Sequence, residues 1–478
     1  MDSKKFILIL TLTFLLNIQA KNDGELVQFK HGQIHGLVSF VEAISGYQHG
    51  SKSLVKSFKG TKYDNAKANT ELGHVKEILS TLPSYEYDKY PKARHIGANL
   101  RELIIGQSIF ATSLSDFSNR IISLLPKHKH ARLMEVLKKY DPIYKELVWN
   151  KTNKELQSFV QGMRKSVNWE ATNSHYSKII NFYQSKWPRE DNFTIGVYPV
   201  DCEKGSVTAE SLVNVQTMGV CVHSKKYLKK WDIAIHEMSH TLYQNQSEIF
   251  QNKVESYFRS STSKYAYKAY FYFNEVLATS IGNGWFHQQV NGKLNNKDWY
   301  NNKYINTMAK AMLPSVSDYM RKKQSLDRLF IKKYINLFAE KFPNSIYEYK
   351  SIFSNMIVFS DSTYYNQYDI RNAVENHFTI RSWSIFDDLK EHEIKNKVDE
   401  SLGETVIFVL GDSKQDRYKN MINDIDLLRA RKDKIKKMDK HLLEVNPKGK
   451  AILILKSLNV LELNKLFKEL YKEKKVKL

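Results

Sequence analysis

The chain has 478 residues, of which 42% are hydrophobic, 26% are charged and only 9 are prolines. This composition excludes collagen-like, low-complexity and wholly disordered proteins, and the scarcity of proline and glycine favours helices over a β-sandwich. The formal net charge of +22 would suit an acidic partner, but lysines are spread along the whole chain with acids among them, which indicates a solvated basic surface and no specific nucleic-acid site.

The first twenty residues have the pattern of a secretory signal peptide. Lys4 and Lys5 precede an apolar run from Phe6 to Leu16, and a polar exit ends at the small residue Ala20. The run is shorter than the about 20 residues of a transmembrane helix, and no later stretch is long and apolar enough to be one. We therefore expect cleavage after about Ala20, export to the periplasm or the medium, and no transmembrane span. The alternative is a retained amphipathic anchor.

Residues 21–185 are predicted to form a helical N-terminal region. Apolar side chains recur there at helical spacing in 37–44, 133–143 and 156–163. Between residues 192 and 223 the period changes, and the short segments FTIGVYPV, SLVNVQ and MGVCVHS predict two or three strands.

Three histidines of the N-terminal region could be metal ligands. His31 and His35 lie four residues apart, and His49 follows further on. Gly32 and Gly36 directly follow the first two and weaken the helix that would align them. Ordinary surface or loop histidines are therefore the favoured interpretation, and a second metal site is the alternative.

The only two cysteines, Cys202 and Cys221, lie in the strand-like stretch, and an exported protein meets oxidising conditions. They either pair in a disulfide, which would stabilise this segment by about 3 kcal/mol in the entropic model, or remain two buried thiols. No CxxC spacing is present, which disfavours cysteine as a metal ligand.

Residues 231–245, WDIAIHEMSHTLYQN, predict a buried helix, because apolar side chains recur along it and no Pro or Gly interrupts it. His236 and His240 lie four apart on one face, so their imidazoles can bind one metal ion. Glu237 lies about 100° around the helix from His236, beside the open position of the metal, where it can act as a base. The motif thus supplies two of the three protein ligands that a catalytic zinc ion needs.

Glu275 is the predicted third ligand. It lies in residues 270–286, YFYFNEVLATSIGNGWF, a helical stretch that we expect to end at the turn residues 282–284. The small residue Ala278, one turn beyond Glu275, would let this helix approach the first one closely.

An HExxH helix followed by a second helix carrying NExxA, here Asn274, Glu275 and Ala278, resembles the gluzincin group of zinc metallopeptidases. The resemblance covers about residues 190–310, and the long separation from His240 to Glu275 leaves room for an inserted helix. It implies a zincin-like core, one bound zinc ion, and hydrolysis of peptide bonds in a peptide or protein substrate.

The resemblance also implies roles for the four motif residues. His236, His240 and Glu275 hold the zinc and leave its fourth position open. Glu237 accepts a proton from water and delivers it to the leaving amine. Two alternatives retain the same residues: a zinc amidase or esterase acting on a non-peptide substrate, and an exported binding or scaffold protein that keeps the fold without turnover.

Supporting residues are expected around these four. Asn274 or Thr279 could fix Glu275. The resemblance implies that an extended substrate adds to an edge strand before the HExxH helix. Residues 216–222 are the candidate, and plain sheet structure that supports the helix is the alternative. The resemblance also implies a Tyr or His that donates to the oxyanion, and the candidates are Tyr265, Tyr267, His287, Tyr300 and Tyr304.

The pattern changes again after residue 400. ETVIFVLGD predicts a buried strand, a polar helix follows to about Lys437, KAILILKS predicts a second strand, and LNVLELNKLFKELYKEK predicts a last helix. This βαβα pattern indicates a small α/β unit with parallel strands. Asp412 follows the first strand, where such sheets bind ligands, but no glycine-rich fingerprint supports a nucleotide site. The stretch 429–477 is the most basic, so any weak attraction to an anionic surface is expected there.

Together these patterns predict an α+β, mostly helical protein. Its predicted parts are a signal peptide at 1–20, a helical N-terminal region at 21–185, a zincin-like catalytic core at 186–345, a connecting region at 346–400 and a small α/β domain at 401–478. The predicted function is that of an exported zinc-dependent hydrolase, a metallopeptidase with Glu237 as the catalytic residue.

Overall fold

The structure is a computed structural model that describes residues 26–47, 51–85, 98–188, 191–200, 209–360, 367–387, 390–410, 422–423, 425–456 and 459–476. These residues are mostly helical and include two mixed sheets, which confirms the predicted α+β, mostly helical class. The predicted signal peptide lies outside them. Among the helices that are described, none combines the length and the apolar character that crossing a membrane requires.

The N-terminal part is largely helical, and its helices include the three that the apolar spacing predicted. Its elements are β1 (Val27–His31), α1 (Gln33–Ile44), α2 (Lys52–Phe58), α3 (Ala66–Ser80), β2 (Ser84–Tyr85), β3 (Ala98–Asn99), α4 (Leu100–Phe110), α5 (Leu114–Ile121), α6 (Lys127–Tyr144), α7 (Asn150–Lys165) and α8 (Trp169–Tyr183). Side chains of Asn65, Asn99, Ser113 and Asn168 accept from the first turns of α3, α4, α5 and α8. The sequence therefore defines where these four helices begin, because such caps satisfy N–H groups that lack intrahelical partners.

The described residues of the middle part form three strands and then six helices. These are β4 (Phe193–Val200), β5 (Ala209–Leu212), β6 (Val215–Cys221), α9 (Tyr227–Gln244), α10 (Glu248–Arg259), α11 (Ala266–Thr279), α12 (His287–Asn291), α13 (Lys303–Arg321) and α14 (Arg328–Lys341). Helix α10 occupies the long separation between the two motif helices. The prediction that the second motif helix ends at 282–284 is wrong, because α11 continues through a π-helical segment, Ser280–Phe286, into α12.

The first sheet has the strand order β1-β4-β6-β5, with β1, β4 and β6 parallel and β5 antiparallel. Strand β4 is buried on both faces. Ile195 and Val197 pack in the core formed with α7 to α14, whereas Tyr198 and Val200 pack in the core of the N-terminal helices. The predicted boundary near residue 185 is therefore not a structural boundary, because β1, α7 and α8 share the core of the motif helices.

The edge strands of this sheet are β1 and β5, so the assignment of residues 216–222 to the edge is wrong. Residues 216–221 belong to β6, which lies between β4 and β5. The segment SLVNVQ, predicted as one strand, instead turns back on itself at residues 213–214, which lie between β5 and β6. Alternation of apolar residues cannot distinguish a continuous strand from a tight hairpin when a turn residue, here Val213, is itself apolar.

The C-terminal part is an α/β unit. Its elements are α15 (Tyr349–Ile352), β7 (Asn355–Ser360), α16 (Gln367–Glu375), β8 (Ser382–Asp387), α17 (Glu391–Glu400), β9 (Thr405–Val409), α18 (Asp426–Arg429), α19 (Lys432–Lys437), β10 (His441–Val445), β11 (Ala451–Leu455) and α20 (Val460–Glu473). The strand order is β10-β11-β9-β7-β8, and every neighbouring pair is parallel except β10 with β11. Strands β9 and β11 pair in parallel, as the sequence indicated, and helices cover both faces of the sheet.

Residues 346–400 are not a connecting region, because they supply β7 and β8 to this sheet. The polar side chains that alternate along SWSIFD concealed β8, and β10 was also missed. In its described part, the polar stretch before Lys437 forms two short helices rather than one long one. Asp412, the weak nucleotide-site candidate, lies outside the described residues.

The C-terminal unit packs directly on α11. Lys268 of α11 is buried and donates to the backbone oxygen of Ser351. A Cβ on Gly403 would lie only 2.7 Å from the backbone oxygen of Tyr267, so glycine permits the two parts to approach closely. The helix that carries Glu275 is therefore fixed on one side by the C-terminal unit.

Candidate metal centre

Helix α9 is anchored in the core by apolar side chains on one side. Trp231, Met238 and Leu242 are fully buried, and the indole of Trp231 donates to the backbone oxygen of Met163 at 3.1 Å. The remaining side of the helix presents the two motif histidines towards α11. Hydrophobic burial thus determines the direction in which the imidazoles face.

The structure brings His236, His240 and Glu275 together, with one ligand atom from each lying within 4.8 Å of the others. The two Nε2 atoms are 3.1 Å apart. Glu275 Oε2 lies 3.6 Å from His236 Nε2, and Glu275 Oε1 lies 3.8 Å from His240 Nε2. The three residues that the sequence selected as metal ligands therefore form one cluster.

The cluster fits a tetrahedral metal ion. Nitrogen and oxygen ligands that surround a zinc ion tetrahedrally at about 2.0–2.1 Å lie about 3.3 Å from one another, close to the separations in the cluster. Glu275 Oε2 is buried and has no hydrogen-bond partner among the described residues, and a cation would satisfy it. Two imidazole nitrogens that present lone pairs at such a short distance also repel each other unless a cation or a proton lies between them.

Asn274 orients one of the imidazoles. Its Oδ1 lies 3.1 Å from His240 Nδ1, so an N–H at Nδ1 donates to the amide oxygen and leaves Nε2 free to bind a metal. Asn274 therefore supports His240 rather than Glu275. Thr279, the other residue predicted to fix Glu275, has a buried hydroxyl without a hydrogen-bond partner in the part of the chain that is described.

Glu237 lies beside the cluster and outside it. Its carboxylate accepts a hydrogen bond from the backbone N–H of Ser211 in β5, and the Ser211 hydroxyl lies 2.6 Å from the Thr241 hydroxyl. Burial raises the pKa of Glu237 to about 7, while the charge of His240 opposes this shift and that of Glu275 adds to it. A carboxyl group that titrates near neutral pH can both accept and return a proton.

Glu275 is held in its ionised form. Burial alone would raise the pKa of its carboxyl, but its interactions with His240, His236 and Arg381 hold that pKa well below its ordinary value. The ionised carboxylate is the form that binds a metal.

Tyr300 is the oxyanion candidate that contacts the cluster. Its ring stacks on the imidazole of His236, with centroids 6.0 Å apart and an interplanar angle of 22°. The guanidinium carbon of Arg381 lies 5.6 Å from the ring centroid of Tyr300, and the charges of Glu275 and Arg381 act on its hydroxyl. The other four candidates have partners outside the cluster: the backbone oxygen of Pro343 for Tyr265, Lys448 for Tyr267, Asp232 for His287 and Glu348 for Tyr304.

Sequence reasoning missed two residues of the site. Ser211 was part of a predicted strand with no assigned role, and Arg381 fell in the region predicted to be connecting structure. Arg381 Nη2 lies 3.5 Å from Glu275 Oε1. No motif spacing could have found it, because it comes from a different part of the chain and reaches the site only through the packing of the C-terminal unit.

The N-terminal histidines do not form a second site among the described residues. His35 is a buried core residue whose Nδ1 lies 2.9 Å from the Ser108 hydroxyl and whose Nε2 lies 3.0 Å from the Thr217 hydroxyl. Burial lowers the pKa of His35 to about 4. His31 ends β1, and His49 lies outside the described residues.

Cys221, at the end of β6, is disulfide-bonded. Cys202, the other cysteine of the chain, lies outside the described residues. Cys221 does not belong to the cluster of His236, His240 and Glu275.

Gly282 controls how closely the π-helical segment approaches α9. A Cβ at this position would lie 2.7 Å from both the backbone oxygen of Asp232 and the backbone nitrogen of His236. We therefore expect Gly282→Ala to lower the free energy of unfolding by about 1–3 kcal/mol through overpacking. Urea unfolding measures the effect, with Gly73→Ala as control. Gly73 lies exposed in α3, and a Cβ added there would have no neighbour within 4 Å. Gly73→Ala should therefore raise the free energy of unfolding by about 0.5–1 kcal/mol. Equal stability of the Gly282→Ala and Gly73→Ala proteins would contradict the packing argument.

Comparison of the chain with protein-family models, with curated proteins and with solved structures gave no match. The class of site is therefore defined by its side chains. Two imidazoles and a carboxylate converge, a second carboxylate lies beside them, and a tyrosine and an arginine complete the surroundings.

Proposed function

We propose that the protein is an exported zinc-dependent metallopeptidase with a zincin-like core. The observation that carries this proposal is the convergence of His236, His240 and Glu275 with Glu237 adjacent to them but outside the ligand set. Two imidazoles and one carboxylate suit zinc, whereas calcium and magnesium prefer oxygen ligands alone. Three protein ligands leave one position for a water molecule or a substrate, which is typical of catalytic rather than structural zinc.

A zinc ion bound there supplies Lewis acidity, which lowers the pKa of water and polarises a carbonyl group. The residues of the chain do the rest of the proposed chemistry. Glu237 takes the proton of the attacking water and returns it to the leaving amine. The hydroxyl of Tyr300 donates a hydrogen bond to the oxyanion that develops on the substrate carbonyl.

The position of β5 supports a peptide as the substrate. It is one of the two edge strands of its sheet, it packs along α9, and Ser211 connects it to Glu237. An extended peptide can hydrogen-bond to the free side of an edge strand. Such a peptide would lie next to the general base.

Metal analysis of the purified wild-type protein tests the proposal. We expect about one zinc ion per chain, and cleavage of a random-sequence peptide pool that 1,10-phenanthroline abolishes and added zinc restores. A folded preparation that takes up no zinc, even after incubation with a zinc salt, would contradict the proposal. Zinc uptake without cleavage of any peptide would favour the scaffold alternative.

A further inference from the structure

The C-terminal α/β unit contributes one side chain, Arg381, to the metal centre. The residue immediately precedes β8, and its backbone N–H donates to the oxygen of Ser354 at 2.8 Å. This bond fixes the start of β8 beside β7. From there the guanidinium reaches Glu275 at 3.5 Å, and its carbon lies 5.6 Å from the ring centroid of Tyr300.

The hydrogen-bonding capacity of Arg381 is only partly used. A guanidinium has five N–H donors in a planar fork. Its contact with Glu275 is longer than the about 2.7–2.9 Å of a good charge-assisted hydrogen bond. Its Nε is buried and has no hydrogen-bond partner within the described part of the chain, while the side chain as a whole keeps 21% of its surface exposed.

The charges of the site leave the guanidinium without a full counter-charge once a divalent cation is bound. The carboxylates of Glu237 and Glu275 carry at most two negative charges, which only balance such a cation, so Arg381 leaves at least one net positive charge at the centre. Glu210, the nearest carboxylate on β5, is not available because Arg101 binds both of its oxygens, at 2.7 and 2.9 Å. A cationic, water-accessible centre of this kind favours an anionic ligand.

We propose that Arg381 binds a carboxylate of the substrate next to the reacting bond, so that the site selects anionic substrates. The inference rests on the proposed function, because it assumes that zinc occupies the cluster. The planar fork of arginine matches a carboxylate in two parallel hydrogen bonds. Either a free chain terminus or an acidic side chain of the substrate carries this chemical group.

Hydroxamic acids test this inference without knowledge of the natural substrate, because they bind catalytic zinc through their own oxygens. Acetohydroxamic acid is the neutral probe. The monohydroxamates of malonic, succinic and glutaric acid carry an added carboxylate on arms of increasing length. Calorimetric titration of the zinc-loaded wild-type protein should show the best anionic probe binding about tenfold or more tightly than the neutral one.

In protein saturated with zinc, Arg381→Gln should remove this preference, so that the anionic and the neutral probe bind with equal affinity. Arg381→Lys keeps the charge without the planar fork and should retain part of the preference. Arg371→Gln is the matched control, since Arg371 belongs to the same unit but pairs with Glu375 at 2.7 Å and lies over the ring of Trp383. It should behave as the wild type.

Peptide competitors then identify the source of the carboxylate. One pair differs in a free or amidated C-terminus, and the other in an internal glutamate or glutamine. If the anionic member of one pair competes with the hydroxamate more strongly than its neutral member, that pair identifies the source of the carboxylate. Equal competition within both pairs would count against the inference.

Equal affinity of the wild type for neutral and anionic probes, or a preference that survives Arg381→Gln, would overturn the inference and leave the zinc site standing. If a folded Arg381→Gln protein bound neither the anionic nor the neutral probe, the inference would also be overturned, because Arg381 would then only hold Glu275 in place. A wild-type protein that takes up no zinc would overturn the proposed function itself. The comparison of probes on the wild type decides the matter even where a variant fails to fold.

Discussion

Glu237→Gln should reduce kcat by a factor of about a hundred to ten thousand, the usual contribution of a general base, while the zinc content stays at the wild-type level. Glutamine has nearly the same shape, and its side-chain oxygen can still accept the hydrogen bond of the Ser211 N–H. It cannot accept a proton from water at neutral pH. The loss should therefore appear in the rate of hydrolysis and not in the stability or the metal content of the protein.

Kinetics on the best peptide of the pool, together with metal analysis of the same preparation, measures this effect. Glu340→Gln is the control, because Glu340 is an exposed glutamate, with 63% of its side-chain surface accessible, on a helix without site residues. A Glu237→Gln protein that kept a tenth or more of the wild-type rate would exclude the base role. Loss of zinc in the same variant would make Glu237 a ligand.

His240→Ala should abolish tight zinc binding. It removes one of three protein ligands, and even loss of a residue that only supports a ligand commonly weakens metal binding by about 10–100-fold. Asn274→Ala should fall in that intermediate range, because it leaves the imidazole of His240 in place without its 3.1 Å partner. We therefore expect zinc affinity to fall in two steps, from the wild type to Asn274→Ala and from Asn274→Ala to His240→Ala.

Thermal unfolding with and without added zinc measures the loss without any substrate. A ligand that binds only the folded state raises its stability in proportion to the logarithm of its concentration over Kd. The wild type should respond most, Asn274→Ala less and His240→Ala hardly at all. His128→Ala, which changes an exposed histidine of α6, should respond as the wild type does. An undiminished response of His240→Ala would show that zinc binds elsewhere.

The grouping of the candidate ligands was predictable because it depends on local periodicity. Two histidines four apart on an uninterrupted helix must share a face, and burial of Met238 and Leu242 determines the direction of that face. Glu275 was found in the same way, as the acidic residue of a second apolar helix. Placing Glu275 beside the histidines also required the two helices to pack together, which the small residue Ala278 indicated.

The surroundings of the cluster depend on long-range packing and could not be predicted in this way. Strand order placed β5 rather than β6 at the sheet edge. The unit that delivers Arg381 includes β7 and β8, whose sequences gave only mixed signals. Gly282 was interpreted as a turn residue, whereas it allows the backbone of α9 to pass within 2.7 Å of its Cβ position. The sequence shows a glycine both in a turn and where two segments pack closely. Only the segment that packs against the glycine distinguishes the two cases.

The two-sided burial of β4 has a consequence for the descent of this protein. One strand lines two different interiors, with odd and even positions each serving one of them. An insertion of a single residue in β4 would exchange the two sets of side chains and damage both interiors at once. Neither the region before this strand nor the region after it is therefore expected to recombine as an interchangeable module, because both interiors need the same register of β4.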